Sequence, residues 1–115
     1  MPGHADKLRT KQPELIADLS LYPTEQGGRH RPVRLGWGCP CVVDRSLEEV
    51  EGWDGWPLLG DLEEVRPGET RRAVGFVFFS GEEAANKMRA AGRFYLWEGW
   101  FIGEAVVVET KPSGG

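Results

Sequence analysis

Between Glu14 and Tyr22 the apolar residues fall on alternate positions, Leu15, Ala17, Leu19 and Leu21 against Asp18, Ser20 and Tyr22, and the run stops soon afterwards at Gly27-Gly28. A period of two places all four apolar side chains on one face of an extended strand and leaves the other face polar. The chain then repeats short apolar stretches cut by glycine or proline. Residues 33–37 and 41–43 read as extended pieces separated by Gly38 and Pro40, which favour a bulge or a sharp bend. Residues 44–56 are acidic and turn-rich and read as a loop with room for a turn of helix at 46–49, and 56–60 read as a short strand. Pro67-Gly68 is a turn signal before a strand over 72–79, where Ala73, Gly75, Val77 and Phe79 oppose Val74, Phe76 and Phe78, as in a strand covered on both faces. The spacing predicts one helix over 80–91: Ser80 and Glu83 form a capping box, Ala84, Met88 and Ala91 share a face, Glu83 and Lys87 are an i,i+4 pair, and Gly92 stands at the C-terminal cap. Residues 93–97 and 100–109 read as a hairpin across Glu98-Gly99.

Short strands with glycine turns, one helix and no βαβ alternation predict an all-β fold, an antiparallel closed β-barrel of about six strands with a short inserted helix over 80–91. Closure removes the strand edges that so valine- and phenylalanine-rich a chain would otherwise expose. The 115 residues suit a single barrel domain over 13–109, with a polar mobile leader over 1–12 and a disordered tail over 110–115. Fourteen basic residues against 18 acidic ones, a net charge of −4, argue against unspecific nucleic-acid binding. No apolar run approaches the roughly 20 residues that span a bilayer and no secretory leader pattern is present, so the chain reads as soluble, cytoplasmic and without a membrane partner. Cys39 and Cys41 flank Pro40, too close to staple a useful loop and without the second ligand pair of a zinc site; they read as buried thiols. The carboxylates of Glu48, Glu49, Asp61, Glu63 and Glu64 stand without a paired base or nucleophile and read as a solvated face, so no catalytic residue, metal or cofactor is expected.

The turns also follow a known order. Gly27-Gly28-Arg29-His30 with Pro32, then Gly36, Pro40, Pro67-Gly68, Arg93-Phe94, Glu98-Gly99 and Ile102-Gly103, resembles the C-terminal, third β-barrel domain of the translation elongation factor Tu family over residues 13–109. The resemblance implies a barrel in which Gly27-Gly28 sits on the side that meets the family's GTP-binding domain and Glu98-Gly99 on the side that meets the T-stem of tRNA. The chain also departs from the pattern. It has no phosphate loop, so the resemblance implies neither nucleotide binding nor GTP hydrolysis. The family's Tyr-Arg-Pro-Gln stretch is replaced by Trp37-Gly38-Cys39-Pro40-Cys41, and Trp100 stands where the family has a second glycine. A bulky indole there argues against close approach of tRNA in the family manner.

Two groups of residues are candidates for binding. Arg29, His30, Arg31 and Arg34 gather positive charge within one turn, suited to phosphate or carboxylate or, more plainly, to ion pairs within an acidic protein. Trp53, Trp56 and Trp100 are indoles in expected loops or turns, suited to anchoring a partner or to capping the barrel, whereas Trp37 and Trp97 read as core cover. The reading is a non-catalytic module with a protein partner, in which Trp53, Trp56 and Trp100 are apolar anchors and Arg29, His30 and Arg31 give polar specificity. Two alternatives stand beside it: RNA binding through Glu98, Gly99 and the basic turn, and an inhibitor or immunity-type protein imitating the translation factor.

Overall fold

The computed structural model describes residues 7–46 and 52–109. Six strands, β1 (Leu15–Leu21), β3 (Cys39–Val42), β4 (Trp53–Leu58), β6 (Thr70–Phe78), β7 (Arg93–Trp97) and β8 (Phe101–Glu109), close into an antiparallel barrel in the order β1-β6-β4-β3-β7-β8. The short strands β2 (Val33–Arg34) and β5 (Glu64–Val65) pair with each other beside it. The helix α1 (Glu82–Ala91) links β6 to β7. The all-β closed barrel with a short helix is therefore the fold of this chain, as the alternation and turns predict.

β1 shows the physical cause most directly. Leu15, Ala17, Leu19 and Leu21 are all buried and alternate with half-exposed positions, and the strand pairs with β6 on one side and β8 on the other. The N-terminal strand thus closes the barrel. Inside, Phe94 meets the edges of Phe76 and Phe78 at ring separations of 5.2 and 5.9 Å, with Leu15, Leu19, Leu96 and Met88 packed in the same cluster. Close packing of this kind makes the core sensitive to the loss of even a few methylenes.

Opposite Ala17 and Leu19, β6 carries one residue more than β1. Ala73 absorbs it with φ +55°, and its N–H donates to Asp18 Oδ1 at 2.9 Å. The bulge therefore satisfies its freed amide from the partner strand.

Several expectations need correction. The stretch over 44–56 is not a continuous loop, because β4 begins at Trp53; the turn of helix considered at 46–49 lies mostly outside the described residues. Gly55, expected in that loop, and Pro57, expected in the short strand over 56–60, both face inward on β4 and are buried, and Pro57 pairs with Phe76. Of the piece over 33–37 only Val33–Arg34 is strand; Leu35 and Gly36 turn, with Trp37 N–H donating to Arg34 O at 3.0 Å. β6 is covered on both faces at Val77 but not at its ends, since Phe79 is 83% exposed and Ala73 faces solvent. α1 starts at Glu82 with Gly81 as its N-cap and no side-chain cap, so the Ser80–Glu83 box does not form; Ala84, Ala85 and Met88 are its buried face, and Ala91 is exposed. Gly92 does take the left-handed C-cap, with its N–H on Met88 O. The described part of the expected leader has a fold role after all, because Leu8 is buried and Arg9 Nε bonds Asp61 Oδ1 at 2.6 Å. The expected tail over 110–115 lies outside the described residues. Among the described residues no helix is long and apolar enough to cross a membrane.

Candidate functional site

The Gly-Gly turn is built by two different constraints. A 3-10 turn, Thr24–Gln26, follows β1 and ends at Gly27, whose φ of +92° suits a residue without a Cβ. Gly28 is required by contact, since a Cβ there would lie 2.0 Å from the Tyr22 carbonyl oxygen. Its N–H donates to Pro23 O at 3.0 Å, and Thr24 Oγ1 donates to Arg29 O at 2.6 Å. The backbone that carries Arg29, His30 and Arg31 is thereby pinned to the end of β1.

Barrel closure brings this turn against the β7–β8 turn. Gly99 adopts φ +73°, and Glu98 N–H donates to Trp100 O at 2.9 Å. One oxygen of Glu98, Oε2, accepts from Arg29 at 2.5 Å and from Trp37 Nε1 at 2.9 Å, while the Arg29 guanidinium lies over the Trp37 ring at 5.2 Å. Charge-assisted and half-buried, with side-chain exposures of 17% for Arg29 and 33% for Glu98, this is a stronger lock than an ordinary surface ion pair. It joins residues 69 positions apart in the chain.

The lock forms one wall of an open depression lined by Gly27, Gly28, Arg29, His30, Arg31, Glu98, Trp100 and Ile102, about 400 Å³ in volume. Trp100 is 51% exposed, backed by Phe101 at 5.9 Å and Trp97 at 6.5 Å. Arg29 already has its carboxylate, and His30 and Arg31 are the exposed basic residues of the lining. An indole face beside a guanidinium and an imidazole can hold an apolar or planar group flanked by negative charge.

Four of the six residues expected on a partner face, Arg29, His30, Arg31 and Trp100, line this depression together with Glu98. Trp53 and Trp56 do not. Trp53 packs against the core cluster with Lys87 Nζ 5.3 Å above its ring. Trp56 lies across Gly38, where a Cβ would come within 2.3 Å of its ring, and borders a separate groove with Leu8, Val77 and Phe79. Arg34, the fourth member of the basic turn, is spent on Glu64, to which it donates at 2.8 Å. The residue missed from sequence is Trp37, read as core cover but also a donor to Glu98; its place just after the Gly36 turn was the available signal. Cys39 and Cys41 are free and buried, and burial pushes the Cys41 thiol well above its ordinary range.

No family model matches the chain, and no curated protein matches it.

Proposed function

We propose that this chain is a non-catalytic protein-binding module, a relative of the third barrel of elongation factor Tu, and that it engages its partner at the depression between the Gly27-Gly28 turn and the β7–β8 turn. The observation that carries this reading is a half-exposed Trp100 beside exposed His30 and Arg31 on a wall already stiffened by Arg29, Glu98 and Trp37. Binding surfaces concentrate their energy in such preorganised aromatic and arginine residues, with a polar surround that excludes water. RNA is the weaker reading, because the net charge is −4 and Arg29 and Arg34, two of the three arginines of the basic turn, are already paired with Glu98 and Glu64.

A photoreactive amino acid placed at Trp100 tests the reading. Crosslinks from native lysate to one protein, abolished by Arg31→Ala and kept in Trp53→Ala, support it; crosslinks that persist in Arg31→Ala, or that go mainly to RNA, overturn it. Titration with bulk tRNA separates the alternatives further, since binding through phosphates weakens steeply as salt rises. Glu98→Gln keeps the shape of the wall but weakens the lock, and is expected to reduce partner recovery and to cost about 1–2 kcal/mol of stability in urea unfolding.

A further inference from the structure

A second cluster, on the outer face of the barrel, stands on different residues. The guanidinium carbon of Arg45 lies 5.8 Å from the ring centre of Tyr22, 5.3 Å from that of Tyr95 and 4.9 Å from that of Phe101. Three rings from three places in the chain, the end of β1, β7 and β8, converge on one cation. Each presents the negative part of its quadrupole, and such convergence is the physical basis of guanidinium and methylated-ammonium recognition. Glu104 adds a carboxylate at the same wall: it accepts from Tyr22 Oη at 3.0 Å, pairs with Tyr95 across the ladder, and lies 3.6 Å from Arg93.

Two further observations separate this cluster from ordinary surface packing. Phe101 is only 2% exposed although it is not part of the core cluster, so it is covered from outside by its aromatic neighbours and by Arg45. Among the described residues Arg45 bridges no carboxylate, and its recorded partners are the three rings. The walls stand on or beside hydrogen-bonded barrel strands, whereas Arg45 is an exposed residue beyond the end of β3. A fixed receptor with an occupant on a loop is a site whose occupant can be exchanged.

We propose that Tyr22, Tyr95 and Phe101, with Glu104 behind them, are a cation-recognition site that Arg45 fills in the isolated chain and that an arginine or methylated-lysine side chain of a partner protein takes over. Arg45 then acts as an internal competitor. Tethered nearby, it is present at an effective concentration on the order of millimolar, which rejects free cations and admits one delivered by a docked protein.

The probes are Nα-acetyl-arginine methylamide and Nα-acetyl-trimethyllysine methylamide, with the neutral Nα-acetyl-norleucine methylamide as control, followed by NMR of the Tyr22, Tyr95 and Phe101 rings. In Arg45→Gln the two cations are expected to shift these rings saturably, with affinity at least about tenfold above wild type because the competitor is gone. The neutral probe leaves them unmoved, and adding Tyr95→Leu removes the saturable response. Equal shifts from cationic and neutral probes, or no saturation in Arg45→Gln, overturn the proposal. Should Arg45→Gln fail to fold, wild type decides alone: the cations must displace the Arg45 Nε–H resonance while the rings shift, and a resonance that stays fixed at probe concentrations well above millimolar rejects the site. Phe101 also backs Trp100, so the deciding shifts are those of Tyr22 and Tyr95, which do not line the Trp100 depression, and the two sites are thereby tested separately.

Discussion

Two residues carry chemistry that a pattern of apolar and polar positions does not describe. Ala73 occupies left-handed backbone, φ +55°, because the β6 bulge needs it there. A Cβ in that region costs roughly 1–2 kcal/mol, partly offset in an Ala→Gly change by the greater freedom of glycine in the unfolded chain. Ala73→Gly is therefore expected to stabilise the protein by about 0.5–1 kcal/mol in urea unfolding, and a loss of stability would show that the strain at Ala73 is smaller than the unfolded-state freedom that glycine gains. Tyr22 differs in its protonation. Burial first, and then the Glu104 carboxylate that its hydroxyl donates to, push its pKa from 10.0 up to about 12. With the folded value above the unfolded one, the contribution is fully present below pH 10 and is lost as pH rises from there through about 12. In a Tyr95→Phe background, so that Tyr22 alone reports, the phenolate absorbance should appear near pH 12. Glu104→Gln should move it down, but not to the free value, because burial remains.

At the scale of elements, α1 shows how backbone geometry can replace a side-chain cap. Ser80 and Glu83 have the spacing of a capping box, but Gly81 turns the chain at φ +62° and ψ −137° and becomes the N-cap itself, ahead of the first helical turn at Glu82 and Glu83. Ser80→Ala should then change stability by less than about 0.5 kcal/mol, as for a surface position that makes no cap. Gly81→Ala, by contrast, should cost about 1–3 kcal/mol through backbone strain alone, since the nearest atom to an added Cβ is Glu14 Oε2 at 3.4 Å. Thermal or urea unfolding of the two variants side by side reads the difference; equal losses would return the cap to Ser80. The β2–β5 pair is held differently. Glu64 accepts from Arg66 and Arg34, and these bonds hold its carboxyl below the ordinary 4.5, so its support is present above that value and fades as pH falls through the lowered one.

For the whole molecule, closure is the organising event. β1 must find β6 and β8 from the far half of the chain, so little of the barrel can persist with one of its strands detached. Cys39 and Cys41 report on this. They lie on β3 inside the closed ring, with exposures of 6% and 0%, and the Cys41 thiol is held in its unreactive protonated form. Alkylation should therefore follow global unfolding, its rate rising with urea in step with the loss of structure. Rapid labelling of either thiol in native buffer would mean that β3 leaves the barrel locally.

The sequence by itself determined what depends on neighbours a few residues apart. The alternation in β1, the hairpin across Glu98-Gly99 and the glycine that ends α1 were all legible, because strand period and positive φ are local constraints. The class of barrel followed from them. The tertiary structure decided what depends on distant partners. Trp53 to Gly55 read as the end of a loop, yet they joined Pro57 in β4, with Gly55 and Pro57 on its inward face against Phe78 and Phe76. Val33 and Val65 found each other only across the fold. The basic turn was legible as a charge cluster, but which of its arginines stay open was not: Arg29 went to Glu98 and Arg34 to Glu64, leaving Arg31 with His30 and Trp100. Arg45 likewise met three rings that no local spacing connects to it. Charges and aromatic faces can pair with many partners at similar energy, and closure of the backbone selects which of them come within reach.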